Sequence, residues 1–117
     1  MKSERMRRVN EAVREVLSEA ITKEIRDPRV GFITVTDVDT SPDLRHAKVY
    51  VSVLGDDAKR KRSLEGLQSA HGYLQKRVAR ELKVKYTPTL EFTYDDALDR
   101  SLRLQELLER AEGGDAP

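Results

Sequence analysis

Residues 59–83 read KRKRSLEGLQSAHGYLQKRVARELK, and the parsing of this stretch decides the fold. Leu64, Leu67, Leu74, Val78 and Leu82 recur at the spacing of one apolar helical stripe. Ser69-Ala70-His71-Gly72 breaks the stripe with small residues and a glycine, which costs about 1 kcal/mol relative to alanine inside a helix. Two helices joined at a kink are therefore expected, with the chain approaching another surface closely at the bend. Spacing alone leaves two readings of that bend open. It either fits the helix to a twisted sheet, or it presents the amides of the second helix to an anion.

Working upstream, Ala47, Val49, Val51 and Val53 alternate with Lys48, Tyr50 and Ser52, the period of a strand with one buried face. Phe32–Asp39 is rich in Thr, Val and Ile and reads as a second strand, separated from the first by the turn cluster Thr40-Ser41-Pro42-Asp43. The two are expected to pair as an antiparallel hairpin. Gly55-Asp56-Asp57 ends it, with Asp56 or Asp57 as the cap of the following helix. Further upstream, Met6, Val9, Ala12, Val13, Val16, Leu17, Ala20, Ile21 and Ile25 predict a long amphipathic helix over roughly 4–26, stopped by Pro28.

Downstream, Thr87-Pro88 leads into a third strand with Leu90, Phe92 and Tyr94 on one face. A last helix is expected from Ala97 to Arg110, and residues 111–117 are expected to be a short disordered tail. The order is α–β–β–α–kink–α–β–α. The implied class is α+β, one domain over residues 1–110, with a three-stranded sheet faced by helices.

Composition narrows the function classes. The 117 residues contain no Cys, which removes disulfides, thiolate metal sites and a Cys nucleophile together. No apolar run approaches the ~20 residues of a membrane span, and the first ten residues lack the apolar segment of a secretory signal, so the expected location is the cytoplasm. Net charge is only +1, but its distribution is uneven. Residues 59–85 carry nine basic and two acidic side chains, and the rest of the chain cancels that surplus. Clustered positive charge is the footprint of a polyanion site.

Within that segment, a helical rotation of ~100° per residue places Lys76, Arg77, Arg80 and Lys83 within about 80° of Tyr73. Leu74, Val78 and Leu82 fall on the other side. Lys59-Arg60-Lys61-Arg62 adds four consecutive cations upstream. A single charge run is usually a solvated face. Two runs with an aromatic between cations favour a nucleic acid over a merely solvated face, because cations neutralise phosphates and a ring stacks on a base. Arg5, Arg7 and Arg8 sit at the positive end of a helix dipole, where basic residues are mildly unfavourable, which suggests a further use.

Catalytic readings fare poorly. His46 and His71 have no partners at zinc-ligand spacing. Asp95, Asp96 and Asp99 precede an apolar helical stripe and read as helix-capping acids, and Asp37, Asp39 and Asp43 surround a turn. There is no P-loop, dinucleotide or G-x-S-x-G fingerprint, and no G-x-x-G loop of the kind with which KH domains grip RNA. No enzyme activity, metal or cofactor is expected.

Taken together, several segments are similar to bacterial ribosome-binding factor A. They are Gly31-Phe32-Ile33-Thr34-Val35-Thr36-Asp37-Val38, Ser41-Pro42-Asp43-Leu44, Ala47-Lys48-Val49-Tyr50-Val51-Ser52 and Ser69-Ala70-His71-Gly72-Tyr73-Leu74. Thr87-Pro88-Thr89-Leu90-Glu91-Phe92, the pair Asp95-Asp96, and Arg5, Arg8 and Val9 with the turn Arg26-Asp27-Pro28-Arg29 also fit. The resemblance spans roughly residues 4–110. It implies a KH-like fold of the bacterial type II, in which an Ala-x-Gly kink, here Ala70-His71-Gly72, replaces the G-x-x-G loop. It also implies a non-catalytic assembly factor that binds the immature small (30S) ribosomal subunit and its 16S rRNA. Such a factor supports late maturation and rRNA processing and matters most in the cold.

The candidate RNA-contacting set is then Arg5, Arg7, Arg8, Lys59, Arg60, Lys61, Arg62, Ala70, His71, Gly72, Tyr73, Lys76, Arg77, Arg80, Lys83 and Lys85. Expected partners are the small subunit and its rRNA, with other assembly factors as further candidates and no membrane. The chain itself is expected to be a monomer. Members often extend beyond the final helix, whereas here only a few polar residues follow it, so no long-tail function is expected. A protein-docking or DNA-binding KH-like module remains the alternative.

Overall fold

A computed structural model describes residues 3–83 and 87–96, together with Gln105, Leu108 and Glu109. The first helix, α1, runs Glu4–Lys23. The Ser3 hydroxyl caps it by accepting the Met6 N–H at 3.1 Å. Val13, Leu17, Ala20 and Ile21 form its buried stripe, spaced to share one face. The helix stops short of the expected residue 26. The N–H groups of Glu24 and Ile25 both close on the Ala20 carbonyl, and Pro28 bars its neighbour from helical geometry.

Two strands follow, β1 (Ile33–Thr40) and β2 (His46–Val53), paired antiparallel as the hairpin reading requires. The register shifts between Val35 and Asp37, a bulge that lets both Val35 and Val38 point inward. In the turn, the Asp43 carboxylate accepts the Ser41 hydroxyl at 2.6 Å and the Arg45 N–H at 3.1 Å. At the far end of β1, the side-chain amide oxygen of the buried Asn10 of α1 accepts the Thr40 N–H at 2.9 Å, so a buried hydrogen bond joins helix and sheet.

The segment quoted first is two helices, α2 (Asp57–Ser69) and α3 (His71–Leu82). Asp56 is the cap of α2, its carboxylate accepting the Lys59 N–H at 2.9 Å. The break is a single residue, Ala70, with φ −91° and ψ 5°. Gly72 is already inside the first turn of α3, and a Cβ added there would meet nothing within 4 Å. The close approach expected at the bend lies elsewhere. A Cβ on Gly66 would fall 2.7 Å from Val30 Cγ2 and 3.4 Å from Arg29 Cβ, so Gly66 is where α2 presses on the α1–β1 connection.

Lys83 ends α3 in the left-handed conformation, and β3 (Thr89–Tyr94) then pairs parallel to β2, giving the order β1-β2-β3. The parallel pairing follows from connectivity, because two helices separate β2 from β3 and carry the chain back across the sheet. Ala47 faces Leu90 and Val49 faces Phe92 in the register, and all four are buried under the helices. Asp95 extends this pairing, donating its N–H to the Val51 carbonyl at 2.7 Å and accepting the Thr36 hydroxyl at 2.5 Å. The architecture is α+β, with a mixed three-stranded sheet whose apolar face carries the helices. Gln105, Leu108 and Glu109 fall in the span expected for a last helix; its remainder and residues 111–117 lie outside the described residues.

Candidate nucleic-acid interface

The outer face of α3 is built by its inner one. Leu74 and Val78 are fully buried, which fixes the helix rotation and turns Lys76, Arg80 and Lys83 outward to solvent. Arg77 does not join them. It lies about 40° from Tyr73 on the Leu74 side, where α1 packs, and its side chain is only 12% exposed. Its Nε donates to both Glu24 oxygens, at 3.0 and 3.2 Å, and its Nη1 donates to Glu81 at 3.2 Å.

Tyr73 is 46% exposed, and its hydroxyl donates to the same Glu24 carboxylate. One carboxylate at the end of α1 thus holds the phenol and the guanidinium of α3. The hydrogen bond from Tyr73, followed by the Arg77 contact, keeps the Glu24 carboxyl below its ordinary pKa, and the same contact pushes the Tyr73 phenol up. Glu24 carried no signal in the sequence, where it is one acid among several on α1.

The four-cation run at the start of α2 also divides. Lys59, Lys61 and Arg62 are exposed. Arg60 is turned back onto the fold, its guanidinium 4.3 Å from the Tyr94 ring centre and 3.1 Å from Asp57. At the bend, His71 Nδ1 lies 2.8 Å from the Gln68 carbonyl, while Ala70 is half-buried.

Arg5, Arg7 and Arg8 stand apart from this surface. Arg8 is 16 residues, or about 24 Å along the helix axis, from the Glu24 that marks the contact with α3. Arg7 and Arg8 both approach Glu4, at 2.6 and 3.6 Å. Lys85 lies outside the described residues. Among the described residues no cluster of three or more His, Asp or Glu could hold a metal ion, and no described helix is long and apolar enough to cross a membrane.

The kinked α2–α3 pair with an exposed basic face on a β1-β2-β3 sheet has close counterparts. The sequence matches the family model described as ribosome-binding factor A over residues 5–108. It is 49% identical to the ribosome-binding factor A of Halothermothrix orenii, over 96% of this chain and 92% of that protein. The Rhodopirellula baltica protein of the same name is 44% identical, over 96% and 82%. The crystal structure of ribosome-binding factor A from Thermus thermophilus superposes with a TM-score of 0.68 at 27% identity, covering 76% of this chain and 94% of that one. A homology model of the Thermus thermophilus factor, fitted into the cryo-EM map of a 30S–RbfA complex, gives a TM-score of 0.63 at 29% identity, covering 74% and 91%. A family match spanning nearly the whole chain, together with the same fold, shows that this protein belongs to the ribosome-binding factor A family.

Proposed function

We propose that this protein is a non-catalytic RNA-binding factor that docks on the immature small ribosomal subunit and supports late maturation of its rRNA in the cytoplasm, with its greatest effect in the cold. Family membership supports the ribosomal partner, since the Thermus relative has been placed in a 30S complex. The observation that carries the RNA-contacting surface is the row Lys76, Arg80 and Lys83, exposed on and at the end of a helix whose opposite face is buried at Leu74 and Val78. Cations held outward by packing lose little on meeting phosphate and release its counterions. The exposed part of Tyr73 lies beside them as a stacking surface.

Two measurements test this reading. The protein should co-sediment with free small subunits in preference to mature ribosomes. Lys76→Gln with Arg80→Gln should flatten the slope of log affinity against log salt by about 1–2 units on a structured rRNA fragment. Equal binding to duplex DNA, or an unchanged slope, would favour the DNA-binding or protein-docking alternative.

A further inference from the structure

Phe32 and Leu54 are 82% and 76% exposed, an unusual placement for large apolar side chains. They sit together beyond the end of the hairpin, where the Leu54 N–H donates to the Phe32 carbonyl at 3.1 Å. One step inward, Ile33 and Val53 are paired and face the core, so strand alternation turns Phe32 and Leu54 away from it. Between this pair and the start of α2 lies a cleft of about 210 Å³, lined also by Arg29, Lys59, Arg62 and Ser63.

The cleft is held in shape. The buried Ser63 hydroxyl donates to the Arg29 carbonyl at 3.3 Å and accepts the Gly31 N–H at 3.4 Å. Gly55, at φ +136°, lets the Lys59 stem lie against its backbone, since a Cβ there would fall 2.5 Å from Lys59 Cδ. Among the described residues no carboxylate lines the cleft. Arg29 is already paired with Asp27 at 2.6 Å, so the cleft's charge toward a ligand comes chiefly from the exposed Lys59 and Arg62.

We propose that this cleft is a binding site for one nucleotide of single-stranded RNA, its base stacked on Phe32 and its phosphate neutralised by Lys59 and Arg62. A bare ring face beside cations with no acid among them complements a base and its phosphate. Lys59 stands 11 residues, or about 16 Å along α2, from the Ala70 break, so an RNA strand following α2 would meet this cleft and the basic face of α3 in turn. The proposal rests on the RNA-binding reading above and extends it to a surface distinct from α3.

The probe is a short fluorescein-labelled oligouridylate, followed by anisotropy across a salt series. Phe32→Ala should weaken binding about 5- to 150-fold with little change in salt slope, and Phe32→Trp should restore it. Lys59→Gln with Arg62→Gln should flatten the slope by about 1–2 units. Because Phe32 is exposed, the melting temperature of Phe32→Ala should match wild type, which excludes unfolding as the cause. Full affinity in Phe32→Ala overturns the cleft, and a simultaneous loss in Lys76→Gln/Arg80→Gln would leave the α3 reading standing. Wild-type protein that binds structured rRNA but not the oligouridylate also overturns it. Wild-type protein that binds neither overturns both. If Phe32→Ala keeps its RNA affinity but no longer co-sediments with small subunits, the cleft takes a protein and the proposal fails.

Discussion

Arg77 of α3 and Glu24 at the end of α1 form an ion pair with Nε 3.0 Å from Oε1, joining two elements 53 residues apart in sequence. Glu24 also accepts the Tyr73 hydroxyl, and Arg77 reaches on to Glu81. A residue expected to meet phosphate is therefore committed to holding α3 against α1. Arg77→Ala should lower the melting temperature, whereas the exposed Arg80→Ala should leave it nearly unchanged. The stability loss arises because Glu24, only 28% exposed at its side chain, would lose a charged partner. Equal melting temperatures in the two variants would place Arg77 with the free surface cations instead.

Tyr73 separates its two roles by chemistry. Tyr73→Phe keeps the ring and loses the hydrogen bond to Glu24, so RNA affinity should hold while stability falls slightly. Tyr73→Ala loses the ring as well and should cost about 1–3 kcal/mol of RNA binding. Equal RNA affinity in both variants would show that the ring takes no part in binding.

The two helix glycines should respond in opposite directions. Gly66→Ala drives a Cβ into Val30 and Arg29, and overpacking of this kind costs about 1–3 kcal/mol against a helix-propensity gain of about 1 kcal/mol. Gly72→Ala meets open space at the start of α3 and should stabilise by up to about 1 kcal/mol. Urea titrations of both variants measure the difference. A destabilised Gly72→Ala would mean that the bend needs the glycine itself.

Acid should loosen the same corner of the fold. The Arg29 guanidinium and N–H hold the Asp27 carboxyl down to about 2, and Glu24 is lowered by Tyr73 and Arg77. A carboxyl whose folded pKa is depressed contributes stability above its unfolded value of about 4 and loses it as pH falls towards the folded value. Melting temperature should thus drop as pH falls from about 4 towards 2, and Asp27→Asn should make that drop shallower. An identical acid profile in Asp27→Asn would remove Asp27 from the account.

Much of the architecture was legible because periodicity is local. The stripe Val13, Leu17, Ala20 and Ile21, the alternation Ala47, Val49, Val51 and Val53, and the interruption before Tyr73 each report a backbone geometry within a few residues. The parallel pairing of β2 with β3 was not specified by that reading, because it depends on how the α2–α3 crossover returns the chain. The candidate site was legible as a set of cations around Tyr73 and the Ala70-His71-Gly72 kink, without the partners that hold some of those cations.

The sequence by itself determined where the positive charge is concentrated, which helices and strands carry it, and which family the chain resembles. Only the tertiary structure decided which of those charges remain available. Arg77 and Arg60 are drawn inward by Glu24 and by Tyr94, partners that come from α1 and β3. Phe32, placed in the first strand by its sequence, lies just before β1 and is 82% exposed, because strand alternation from the core-facing Ile33 turns it away from the core. Gly66 rather than Gly72 marks the close approach, because Val30 and Arg29 reach α2 only when the α1–β1 connection folds against it. Periodicity follows from each residue's own backbone, whereas ion pairing, exposure and close contact depend on residues distant in sequence.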